Sequence, residues 1–124
     1  MQRMTLSILI LVLAACSPFV EQVDLKTASG TETNAALQVR VFPIGIQFPK
    51  VRQYLGPVNA YSCKNKVWDK PASTGDAVAQ LRVKALRMGA NAIIDMSTDA
   101  RGTDTWGTNC WESVQAQGTA VILQ

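Results

Sequence analysis

The sequence predicts an α+β domain: a small sheet of about four strands with one main helix packed on one face. Three observations carry this expectation. Leu37, Val39 and Val41 alternate with Gln38 and Arg40. Near the C-terminus, Val114, Ala116, Ala120 and Ile122 form a second alternating set, and both have the period of two of half-buried strands. Between them, Val78, Leu81, Ala85 and Met88 recur at helical spacing, forming the apolar stripe of an amphipathic helix. A chain of 124 residues has room for one domain. One such helix covers one face of a small sheet and closes two layers around a single core.

The first element is a leader over residues 1–15. Arg3 gives the head one positive charge, Leu6 to Leu13 is apolar except for Ser7, and Ala14 and Ala15 follow, the order of an export signal. As helix, Leu6 to Ala15 spans about 15 Å, half of the roughly 30 Å of bilayer hydrocarbon. It is too short for an ordinary transmembrane helix. The next four-residue pattern, Leu13-Ala14-Ala15-Cys16, resembles the bacterial lipobox. That resemblance implies a diacylglycerol thioether on Cys16, cleavage before it, and N-acylation. Two or three acyl chains anchor stably where one holds weakly and reversibly. The alternative is an ordinary signal peptide with Cys16 as a bystander thiol. Ser17 stands where an Asp would resemble an inner-membrane retention signal, so the expected location is the outer membrane, lipid-anchored, with the domain in the periplasm.

Residues 16–36 read as the lipidated cysteine and a flexible tether, because small polar residues (Thr27, Ser29, Gly30, Thr31, Thr33, Asn34) dominate without periodicity. Val20, Val23 and Leu25 could alternatively dock on the domain, which is expected over residues 37–124. Its first strand, Leu37 to Val41, ends at Pro43. Ile44 to Arg52 is irregular, since Phe48-Pro49 disfavours continuous helix. A second strand runs from Val58 to Cys63 after the Gly56-Pro57 break, and Lys64 to Ala72 is a polar loop with Trp68 as its large apolar residue. The helix is capped by Ser73 or Thr74, takes Asp76 in its first turn and stops at Gly89. A third strand covers Ala92 to Ser97, a long loop Asp99 to Asn109, and a last strand Ser113 to Leu123. Gly118 within that strand marks a bulge or a close backbone approach.

Composition removes several function classes. Twelve Lys plus Arg face nine Asp plus Glu, and there is no histidine. Neither a Ser-His-Asp nor a Cys-His site can form, nor any His-ligated zinc site. A formal charge of +3 with scattered basic residues does not suit nucleic acid. The expectation is a non-enzyme without a cofactor. Asp95, Asp99 and Asp104 are close in sequence, and cation sites use Asp-rich loops, but the spacing matches no calcium loop and a solvated turn is the better reading. Trp68, Trp106 and Trp111 are either partner anchors or, as is commoner, core, with Trp111 beside Cys110 expected near the cystine. With Cys16 given to lipid, Cys63 and Cys110 remain in an oxidising compartment, where a pair is most simply a single disulfide. The rival is a two-thiol metal or redox site, which usually shows C-x-x-C spacing or histidine partners.

The lipobox leader, the polar tether, Gly56-Pro57-Val58-Asn59-Ala60-Tyr61-Ser62-Cys63, Ala85-Leu86-Arg87-Met88-Gly89-Ala90-Asn91-Ala92-Ile93, and Gly102-Thr103 leading to Asn109-Cys110 and Gly118 together resemble the RcsF family. These are outer-membrane lipoproteins of the Rcs envelope-stress phosphorelay. The Ala-Asn-Ala strand entry is shared with other small envelope domains of the YbjQ type. By this resemblance the lipidated cysteine is Cys16 and one family disulfide falls on Cys63 and Cys110. It further implies contacts with outer-membrane proteins and BamA-type assembly machinery, and with an IgaA-type inner-membrane regulator of the RcsC-RcsD-RcsB relay. Two departures stand out. The family's second disulfide would need cysteines near Thr98 and Ala116, and its proline-rich tether is reduced here to Pro18.

Overall fold

A computed structural model describes residues 28–104 and 109–124. The elements run α1 (Gly30–Leu37), β1 (Arg40–Pro43), β2 (Val51–Lys64), α2 (Thr74–Arg87), β3 (Ala92–Asp104) and β4 (Cys110–Leu123). The four strands form one sheet in the order β1-β3-β4-β2. β1 runs parallel to β3, and β4 is antiparallel to both of its neighbours. The α+β architecture with a small sheet is therefore present.

The helix α2 forms where its caps and stripe require it. Ser73 Oγ accepts from the Asp76 N–H at 3.1 Å, and Asp76 lies in the first turn with Lys84 and Arg87 in the last, matching the helix dipole. The chain leaves through Gly89 at φ +88, a left-handed closing residue that lacks a Cβ to clash. Leu81 and Ala85 are fully buried and pack with Val58, Ala60, Ile93, Val114, Ala116 and Ala120 of the sheet. Met88, the last residue of the expected stripe, is exposed. The Ser73 N–H also donates to Ser62 Oγ at 3.1 Å, which fastens the helix start to β2. Ser73→Ala should cost about 1 kcal/mol and lower the melting temperature by several degrees, read by circular dichroism.

Among the described residues, the opposite face of the sheet is covered at one end. Ala92, Ile94, Val121 and Leu123 pack there beneath Phe42, Phe48 and Val51. The irregular stretch between β1 and β2 thus serves as a second, partial cover. Asn91 closes the same end. Its side chain accepts from the Leu123 N–H at 2.8 Å and donates to the Leu123 carbonyl at 3.3 Å, while Ala90 and Ala92 on either side are buried. The Ala-Asn-Ala motif is therefore a strand-pairing device: two small residues enter the core and the amide between them holds the last strand.

Several boundaries differ from the sequence reading. The expected tether reached Ala36, yet residues 30–37 are helical. Ser29 Oγ accepts from the Glu32 N–H at 3.0 Å, Ala36 is buried against Val83 with Leu86 beside them, and Arg87 Nε donates to Glu32 Oε1 at 2.7 Å. That arginine holds the Glu32 carboxyl below its usual pKa. The rest of the tether, including Cys16, Val20, Val23 and Leu25, lies outside the described residues. Leu37, expected in the first strand, is exposed, and Val39 is the buried member of that alternating set. The second strand is longer, starting at Val51, because an edge strand tolerates Pro57. The third strand continues to Asp104 through most of the expected loop.

Candidate functional site

The cystine is the fixed point of the far end of the sheet. Cys63, the last residue but one of β2, lies opposite Ser113 and Lys64 pairs with Glu112, while Cys110 opens β4 opposite Asp104. This register brings the two Cα atoms to 5.6 Å, and the disulfide between Cys63 and Cys110 is formed. The spacing is ordinary for a cystine. Cys110 is 1% exposed. The pair is therefore a structural cross-link rather than two free thiols.

The same end carries two exposed tryptophans. Trp68 is 80% and Trp111 is 53% exposed, so neither fills the core as the commoner reading expects. Trp106 lies outside the described residues. Trp68 sits in the β2–α2 loop beside exposed Val67, and Lys66 Nζ lies 5.8 Å over its ring. Asp69 shapes this loop from inside: its carboxylate accepts from the N–H groups of Asn65 and Lys66 at 3.1 and 3.0 Å.

A second feature lies mid-sheet. Ile94 pairs with Thr119 and Ser97 with Gln117, so Asp95 and Met96 together face Gly118 alone. This is a β-bulge, with Asp95 at φ +51. Asp95 borders two open depressions of about 420 and 250 Å³, the first lined by Ile46, Gln47 and Phe48 and the second by Asn59, Ser97 and Gln117. Beyond them the sheet face is polar. Arg101 donates to Gln115 Oε1 at 3.0 Å, and Gln117 Nε2 reaches Ser97 Oγ at 3.4 Å.

The three aspartates weighed for a cation all lie on β3. Asp95 and Asp99 point outward along β3, and Asp104 closes that strand beside Cys110. Among the described residues no group of three His, Cys, Asp or Glu side chains could hold a metal ion, and no helix there is long and apolar enough to cross a membrane.

Comparison with known proteins gives one family. Residues 71–124, covering α2, β3 and β4, match the family model YbjQ_1, described as "Putative heavy-metal-binding". No curated protein matches the chain. The described residues do not fit the metal in that description. Heavy metals favour thiolate and imidazole donors, but the chain has no histidine, and Cys110, the thiol within the matched segment, is spent in the cystine. The similarity thus bears on the helix, the Ala-Asn-Ala entry and the closing hairpin, and on no donor set found here.

Proposed function

We propose that the chain is a non-enzymatic outer-membrane lipoprotein that senses envelope stress and relays it to the Rcs phosphorelay by protein–protein contact. The observation that supports this reading furthest is the Cys63–Cys110 cross-link. It is the pairing that the RcsF resemblance implies, and such bonds persist in oxidising compartments. The leader and Leu13-Ala14-Ala15-Cys16 add the anchor, through acylated Cys16 in the outer-membrane bilayer. The partners are outer-membrane proteins, BamA-type machinery and an IgaA-type regulator. The physical logic is availability: a tethered domain changes its effective concentration at a partner when its geometry changes, without new chemistry.

Overproduction in the native host should switch on an Rcs-dependent reporter, and Cys16→Ala should alter that response while leaving an unlipidated precursor visible by mass spectrometry. A flat reporter with normal acylation would favour the rival reading, an assembly or structural lipoprotein without a signalling role. That rival also predicts that deletion changes outer-membrane composition while Rcs-controlled transcription still responds to damage.

A further inference from the structure

We propose that the β2–α2 loop is a docking tip for the surface of an anionic lipid bilayer. Val67 and Trp68 are adjacent, and 76% and 80% exposed, at a turn between the end of β2 and the start of α2. Tryptophan is favoured where one side of the ring meets hydrocarbon and the other meets headgroups. Lys64, Lys66 and Lys70 flank the pair, and Lys66 already lies over the Trp68 ring. Among the described residues no ion pair engages these three lysines.

The loop's own acid cancels them only in part: Asp69 accepts from two backbone N–H groups through one carboxylate oxygen, and Lys64, Lys66 and Lys70 against it leave residues 64–72 with a net charge of +2. Glu112, opposite Lys64 in register, is a further carboxylate at this end, and it is half-buried. Lysine is depleted at protein–protein interfaces, whereas Trp beside Lys is the composition of the bilayer interface. The chemistry therefore selects a membrane over a protein. The tip is also stiff, since the cystine and the turn bonds of Asp69 fix its base.

Reach permits the contact, an argument that rests on the proposed Cys16 anchor while the charge argument does not. The thirteen residues from Cys16 to Ala28 span at most roughly 40 Å. Helix α1 meets the Arg87 end of α2, and α2 is only roughly 20 Å long. A domain held at Cys16 can therefore lay its tip on the same bilayer. Docked so, it is withheld from distant partners, and a loss of lipid charge sets it free, which deepens the sensing reading.

Trp68 fluorescence tests this in the full chain carrying Trp106→Phe and Trp111→Phe, incorporated into vesicles of brominated phosphatidylcholine with or without phosphatidylglycerol. With phosphatidylglycerol, Trp68 emission should shift to the blue and be quenched, and high salt should reverse both. Each lysine contributes about a fivefold factor at such a surface, so K64Q/K66Q/K70Q should weaken docking on the order of a hundredfold. Equal emission in the two vesicles, or undiminished quenching of the triple variant, overturns the proposal. All three lysines lie on the loop or at its edge, and unchanged melting confirms that the variants are folded. Mass spectrometry of the same sample reports Cys16 acylation separately, so failure of the anchor and failure of the tip are distinguishable.

Discussion

Gly118→Ala should lower stability by about 3 kcal/mol and the melting temperature by roughly 15 °C. A Cβ on Gly118 would lie 2.6 Å from Ile93 Cγ2, 2.9 Å from the Ile94 carbonyl oxygen and 3.4 Å from Met96 Cα. Two of these are backbone atoms of the bulged strand, which cannot rotate aside. The third belongs to Ile93, which is fully buried under α2, so a rotamer change there opens a void elsewhere in the core. The bulge at Asp95 and Met96 brings β3 this close to β4, and only a residue without a side chain can stand opposite it. Gly75→Ala is the control. Nothing lies within 4 Å of the Cβ added there, and the site is helical, so this variant should gain about 0.5 kcal/mol. Thermal melts of the two variants should therefore move in opposite directions. A Gly118→Ala protein that melts with the parent would mean that the two strands are not packed as described.

Gly118 illustrates how much of this fold was legible in advance. A glycine inside an alternating strand signals a bulge or a close approach; the close approach is found at Gly118 and the bulge opposite it on β3, but the partner residues in that preceding strand carry no local mark. Helix α2 was legible because its cap, first-turn acid, stripe and closing glycine all lie within one window. Helix α1 was not. Its sequence Gly-Thr-Glu-Thr-Asn-Ala-Ala-Leu is hardly amphipathic, and its support comes from Val83 and Arg87, about fifty residues away. One local signal was present, because Ser29 and Glu32 have the spacing of a capping box. The extension of β3 to Asp104 was hidden for a related reason: a strand stretch exposed to water has no apolar alternation to betray it. The cystine was legible from compartment and resemblance, whereas the exposure of Trp68 could only come from the tertiary structure, since nothing in a tryptophan's sequence neighbours fixes whether anything covers it.

Removing the cystine with C63A/C110A should cost about 4 kcal/mol of unfolding free energy, because the cross-link joins positions 47 residues apart and restricts the unfolded chain accordingly. Against a total of about 5–15 kcal/mol for a small domain, that is a large share. The effect should lie mainly in the unfolded state. β2 and β4 are paired from Val51–Leu123 through Lys64–Glu112 without help from the sulfurs, so the far-ultraviolet spectrum of the folded variant should match the parent. Denaturant unfolding separates the two possibilities. An open chain exposes more surface than a cross-linked one, so the variant should show a steeper denaturant dependence as well as a lower midpoint. A lower midpoint with an unchanged slope would instead place the loss in native packing around Cys110, which is buried. The same burial means that reductant should act on the native protein slowly, at the rate at which the end of the sheet opens. A cystine that is reduced at once under native conditions would contradict the packing at this end. It would also remove the rigid base on which the Trp68 loop stands.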